Sequence, residues 1–233
     1  WVELIHMRKI LSLIYSVILI SFIAGCSNTP KLASEPMPRS GFLPNYALLQ
    51  PVNISHADTR IWRYRKPGIS QTSYTAVILD PIYLNQSATK EISPEAISQA
   101  QIALQDSMVA AVNARGNIKI VTSPGPGVAR FTVGITGAES STDSLQPWNF
   151  TPIGLAVSAA TYAGGVNSKT PALLVESKIT DSQSKELLGE GLVTVQGESF
   201  RTASGSVDSF IEMAKKVVRV AMEVSANASP VAK

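Results

Sequence analysis

The side chains able to do chemistry are few in this chain, and their scarcity is informative. One cysteine, Cys26, and two histidines, His6 and His56, occur among 233 residues. A single thiol forms no internal disulfide and supplies no cysteine metal site. A histidine metal cluster or a catalytic triad has only His56 to draw on within the folded part. His56 sits in a polar loop with Asn53, Ser55 and Asp58 and reads as a solvated surface histidine. What remains is carboxylate chemistry. Asp80, Glu176, Glu190 and Glu198 are the candidates, because a carboxylate pair flanking a glycosidic bond suffices to hydrolyse it. Nothing in their spacing brings two of them together, and half-exposed strand positions commonly carry glutamate. The Gly125-Pro126-Gly127 stretch lacks the Gly-Lys-Ser/Thr ending of a phosphate loop, and Pro126 removes an amide donor, so it reads as a turn. No catalytic residue, cofactor or metal site is assigned from these residues.

Cys26 is informative through its setting. A basic pair, Arg8 and Lys9, precedes an apolar run, Ile10 to Ala24, that closes in Gly25 and Cys26. Basic start, short apolar middle and small residues at a cut site describe a secretory signal peptide. The run falls short of the roughly 20 residues a spanning helix needs. Ending in Ala-Gly-Cys, it resembles a bacterial lipobox. That resemblance implies cleavage between Gly25 and Cys26, a diacylglycerol on the thiol and a third acyl chain, such as palmitate, on the new amino terminus. Several chains anchor a protein firmly where one does so only marginally. Ser27 stands where an aspartate would favour the inner membrane, so the expected address is the outer membrane, facing the periplasm. Met7 is the expected natural start, with Trp1 to His6 an upstream extension.

Cleavage would leave 208 residues with a formal charge near +2, against +3 for the whole chain. That is too mild and too scattered to imply a nucleic-acid partner. Residues 26–40, with Pro30, Pro36 and Pro38 among Ser, Lys and Glu, read as a lipidated disordered tether. Residues 41–233 then form one domain. Phe42, Leu43, Tyr46, Leu48 and Leu49 suggest an arm lying against the core. Tyr74 to Leu79, Asn117 to Thr122 and Val128 to Ala138 read as strands, and Pro171 to Thr180 with Glu186 to Val195 as a hairpin. Ser93-Pro94 begins a helix that runs to Ala114, and Ser206 caps a second, Val207 to Ala226, in which Glu212 and Lys216 can pair. The pattern predicts an α+β fold: a two-layer sandwich of a mainly antiparallel sheet with two long amphipathic helices.

Two stretches invite binding. Arg60-Ile61-Trp62-Arg63-Tyr64-Arg65-Lys66 alternates like a strand, with Trp62 and Tyr64 on one face. It could hold an anionic lipid, a glycan or a nucleic acid through charge and stacking, or it is an edge strand with its aromatics in the core and solvated arginines outside. The segment 148–166 carries no charge and includes Trp148, Phe150, Ile153, Leu155 and Tyr162. It either closes the core as a buried element or forms an apolar surface for a partner.

Ser40-Gly41-Phe42-Leu43-Pro44-Asn45-Tyr46, followed by Leu49, resembles the opening motif of the YdcL-like bacterial lipoproteins, a family classed as a domain of unknown function. Trp62, Pro67, Tyr74, Ile78, Pro81-Ile82 and the Gly125-Pro126 turn fall in the same order. The resemblance covers nearly all of the chain from residue 40 and implies a periplasm-facing lipoprotein; it carries no catalytic residues across. The expected function is a membrane-anchored, non-enzymatic binding or scaffold module for an envelope protein or glycan. The alternative is a carboxylate-dependent hydrolase of cell-wall glycan.

Overall fold

Strand-period alternation dominates the middle of the chain, and in the computed structural model it becomes one sheet. The structure describes residues 30–34, 36–142 and 167–227. Its strands are β1 (Gln50–Val52), β2 (Thr59–Arg65), β3 (Ala76–Leu79), β4 (Tyr83–Leu84), β5 (Lys119–Ile120), β6 (Val128–Thr142), β7 (Lys169–Asp181) and β8 (Leu187–Gln196). Its helices are α1 (Lys31–Ser34), α2 (Gln86–Thr89), α3 (Pro94–Ala114) and α4 (Ala203–Asn227), with a 3₁₀ turn at Tyr46–Leu48. The sheet order is β1-β2-β8-β7-β6-β3-β5, and β4 also pairs with β6. From β1 to β6 every pairing is antiparallel; β3, β4 and β5 join in parallel. The architecture is therefore the α+β fold expected, mainly antiparallel with two long helices.

Both helices pack on one face of the sheet. The Ser93 Oγ accepts the amide of Ala96 at 3.2 Å, Pro94 fills the first turn, and Gly116 ends the helix at φ +68°. Leu104 and Ala100 of α3 meet Phe210, Ala214 and Val220 of α4 in the core, over Val133, Ile135, Leu173, Val175 and Val195 of the sheet. Truncating Phe210, which is fully buried, should cost about 3–5 kcal/mol. At Thr136 the β6–β7 register shifts by one residue. This bulge returns Ala138 to the helix-facing core after Ile135 and leaves Thr136 buried beside it.

Four expectations need correction. Helix α4 begins at Ala203, with Thr202 Oγ1 accepting the Gly205 amide at 3.1 Å, so Ser206 lies inside the helix and is buried. Glu212 pairs with Lys215 at 2.8 Å, because Lys216 turns to Asp58. Strand β2 is no edge strand: the three-residue β1 covers its free side. The fourth concerns residues 30–34 and 36–40, the described part of the stretch 26–40 read as tether. Leu32 and Met37 pack against the cluster built on Trp62, Leu174 and Leu192. The Leu32 amide donates to Glu139 Oε1 at 2.6 Å, and Arg60 Nη2 donates to the Leu32 carbonyl at 3.1 Å. Low apolar content misled, because two well-placed side chains and polar contacts are enough to dock a short segment. Among the described residues no helix is long and apolar enough to cross a membrane.

Candidate functional site

The sheet face opposite the helices is covered by the arm, residues 36–49, and it holds the two buried glutamates found among the described residues. Strand pleating puts Leu174, Glu176 and Lys178 of β7 on that face, with Glu190 and Leu192 of β8 and Trp62 and Tyr64 of β2. Glu176 is opposite Leu192 and Lys178 opposite Glu190, so the two glutamates are diagonal neighbours. Such neighbours lie roughly 7–8 Å apart. Sequence spacing offers no reason for two carboxylates to meet; hairpin register brings them together. Glu176 is fully buried and Glu190 is 4% exposed.

The arm supplies the partners that such burial requires. Tyr46 Oη donates to Glu176 Oε1 at 2.6 Å, and Ser40 Oγ donates to Oε2 of the same carboxylate. The Tyr46 oxygen in turn accepts the amides of Gly41 at 2.8 Å and Ser40 at 3.2 Å, closing the arm into a loop around one hydroxyl. Gly41 holds φ +88°, which lets the chain turn there. Pro44 follows, and Asn45 Oδ1 accepts the Ala47 amide at 3.1 Å to start the 3₁₀ turn. Leu43 and Leu49 then bury against Trp62 and Leu192. Phe42 stacks on Tyr83, ring centroids 5.4 Å apart, over Gly134, where a Cβ would fall 3.0 Å from Tyr83 and 3.1 Å from Phe42. Lys178 Nζ lies 5.2 Å from the Phe42 ring centre.

Glu190 is less well served. Its Oε1 accepts the Asn45 amide at 3.3 Å, while its Oε2 is buried without a partner. Burial pushes the Glu190 carboxyl above its ordinary value; the Asn45 amide and Lys178 oppose this, and the Glu176 charge adds to it. Two carboxylates are thus close, yet both are buried beneath the arm. Beside them lies a separate pocket of about 410 Å³ between the arm, α2 and the β6 bulge, lined by Arg39, Ser40, Asn85, Lys90, Thr136 and Glu139 among others. The Thr136 hydroxyl, buried at its edge, has no partner.

The remaining sequence candidates disperse. Asp80 binds Arg130 Nε at 2.9 Å and Thr132 Oγ1 at 2.7 Å. Glu198 is exposed. His56, read as simply solvated, pairs with Glu223 of α4 at 3.0 Å. Gly125 to Gly127 form the expected turn, with Gly127 at φ +66°. In β2, Trp62 is buried and Tyr64 half-buried, Arg60 lies 5.1 Å from the Trp62 ring, and Arg63 and Arg65 occupy the opposite face, half-buried and not simply solvated. Among the described residues no group of three or more His, Cys, Asp or Glu could hold a metal ion. Gly25, Cys26, Trp148, Phe150, Ile153, Leu155 and Tyr162 lie outside the described residues. Ser40 and Tyr46 escaped sequence reasoning as carboxylate partners, since 130 positions separate Tyr46 from Glu176.

The extent of this arrangement matches one family. Its model, described as a protein of unknown function (DUF3313), covers residues 38–221, from just before the Ser40–Tyr46 arm to the last turns of α4. The chain belongs to the DUF3313 family. A relative, the uncharacterized lipoprotein YdcL of Escherichia coli, is 24% identical over 198 residues, spanning 84% of this chain and 86% of its own length. The DUF3313 chain is also similar to solved structures. One is a PelC dodecamer from Paraburkholderia phytofirmans, at 11% identity, 69% coverage of this chain, 94% of that one and a TM-score of 0.36. Another is a putative neuraminyllactose-binding hemagglutinin homolog from Helicobacter pylori, at 10%, 67%, 86% and 0.39.

Proposed function

We propose that this chain is a lipid-anchored envelope lipoprotein that works as a non-enzymatic binding or scaffold module. It is acylated at Cys26 and held on the periplasmic face of the outer membrane. One observation carries the non-enzymatic reading: the close pair Glu176 and Glu190 is sealed under the arm, and Glu176 has both oxygens engaged by Tyr46 and Ser40. A glycoside hydrolase must present one carboxyl as an acid and the other to water or the sugar, and neither is accessible here. The lipobox and the lipoprotein relative support the anchor. The uncharged segment 148–166 supplies the proposed partner surface.

The anchor is tested by Cys26→Ser, which should abolish labelling by radioactive palmitate and release the protein from the membrane fraction. Unlabelled wild-type protein would sink that part. The non-enzymatic reading is tested by incubating the purified full chain with isolated cell-wall glycan; release of soluble fragments that Glu176→Gln or Glu190→Gln abolishes would replace it with the hydrolase. For the partner surface, a photo-crosslinker at Trp148 should trap an envelope component in intact cells that the same group at exposed Ile102 does not. Identical adducts from both positions would remove 148–166 from the proposal.

A further inference from the structure

Three arginines that the fold brings together serve no carboxylate. Arg63 and Arg65, two apart on β2, share the face occupied by the long helices. Arg63 Nη1 donates to the carbonyl of Val224 in the last turn of α4 at 3.4 Å, and Arg65 Nη2 to the carbonyl of Ile69 at 3.1 Å. Arg115, exposed at the end of α3, reaches Met222 Sδ at 3.6 Å. Met222 and Val224 are two apart on α4, so Arg63 and Arg115 reach the same stretch of that helix from two elements. Arg219, one turn earlier on α4, adds a further exposed cation. Burial, then the charges of Arg65 and Arg115, weaken the hold of Arg63 on its proton.

None of the ion pairs among the described residues uses Arg63, Arg65 or Arg115. The nearby acids are committed elsewhere: Glu223 to His56, and Glu186 to Lys66 beside Arg65. A cation at a helix C-terminus is favourable, which accounts for one contact by Arg63. It does not account for the placement of Arg63 near two further guanidinium groups, Arg65 and Arg115, with no acid paired to any of the three. Each carries five N–H donors and spends one on the contacts above. The planar donor fork matches phosphate oxygens two at a time. Three positive charges suit a phosphate better than a carboxylate, which brings one negative charge where a phosphate monoester brings nearly two.

We propose that Arg63, Arg65 and Arg115 form a binding site for a phosphate group, carried either by a soluble phosphoester or by a lipid headgroup. The site lies on the opposite face of the sheet from the arm, so its fate leaves the lipoprotein reading untouched. The test is calorimetric titration of the full chain in neutral detergent with inorganic pyrophosphate and, separately, with dihexanoyl phosphatidic acid, a lipid phosphomonoester. Arg115→Glu should weaken binding at least tenfold; because Arg115 is exposed, the melting temperature should move only slightly, through the charge placed at the C-terminus of α3. Arg63→Lys keeps the charge and loses the fork, and should weaken binding several-fold. Pyrophosphate binding lost in Arg115→Glu supports a soluble phosphoester; binding of the lipid alone, lost in the same variant, supports a headgroup. Binding of neither probe, or affinities unmoved by both substitutions, overturns the proposal.

Discussion

The two faces of the sheet handle charge in opposite ways. On the arm face, Glu176 is fully buried and matched by two hydroxyls from one short segment. On the helix face, Arg63 is half-buried among cations and meets one backbone carbonyl. A buried charge that the chain satisfies itself has become part of the fold, and its removal should be read in stability. A charge left with spare donors has little to lose on removal and should be read in binding. The two glutamates, chemically the better catalytic candidates, are therefore the structural pair.

The comparison breaks most visibly at Glu176. Glu176→Ala leaves the Tyr46 and Ser40 hydroxyls without an acceptor and opens a hole beneath the arm. Each stranded group costs about 1–3 kcal/mol, partly offset because a buried carboxylate is no longer desolvated. A net loss of about 2–4 kcal/mol is expected in urea unfolding, with proteolysis appearing first between residues 36 and 49. An arm that stays protected would show that Leu43 and Leu49 dock it alone. Tyr46→Phe should cost less, about 1.5–3 kcal/mol, the value of a hydrogen bond to a charged group. It also removes the oxygen that accepts the Gly41 amide and closes the arm, so the same proteolytic site should open.

These expectations show what the sequence could and could not reveal. The long elements were readable because each carries its own period and caps: Ser93-Pro94 and Gly116 bracket α3, and alternation marks β6, β7 and β8. The arm was readable as a docked segment from Phe42, Leu43 and Leu49. Its function as a carboxylate lid was not, because Tyr46 and Glu176 meet only through tertiary packing. Likewise the Glu176–Glu190 pairing follows from hairpin register, which the turn at Asp181 fixes through its side chain: Asp181 Oδ1 accepts the Gln183 and Ser184 amides at 2.9 and 2.8 Å. The two-residue β4 and β5 have too few residues to show a period. The arginines of β2 were visible as an alternating run, but their convergence with Arg115 depends on how α3 ends.

Glu190 sharpens the contrast within the arm face, because it is the half-satisfied member of the pair. Its carboxyl is raised above the unfolded value, chiefly by burial. The folded protein therefore binds a proton there more tightly than the unfolded chain does. Its contribution to stability is complete below the ordinary glutamate value and is lost as pH rises through the raised folded value. Asp58 and Asp181 run the other way. Burial pushes Asp58 up, but Lys216 and Thr59 together hold it low; the amides of Ser184 and Gln183 lower Asp181. Those two stabilise above the ordinary aspartate value and lose that contribution as pH falls. Unfolding curves of wild type and Glu190→Gln, subtracted across pH 3 to 8, isolate the glutamate. The difference should favour Gln increasingly as pH rises through this window. A flat difference would mean that Glu190 titrates as it does in the unfolded chain.

The smallest effect is expected on the helix face, and it is the most discriminating. Arg63→Gln loses the contact with Val224 and its favourable position at the end of α4, worth about 0.3–1 kcal/mol. It also removes repulsion from Arg65 and Arg115, which acts in the opposite direction. The glutamine keeps much of the stem packing, since the charged head and not the methylene chain is changed. The net change in unfolding free energy should fall within about 0.5 kcal/mol of zero, because the two contributions oppose each other. If it instead matches the loss at Glu176, Arg63 is as structural as the glutamates and the two faces do not differ in kind. If stability is kept while phosphate affinity falls, the same residue separates folding from binding, which the arm-face carboxylates cannot do.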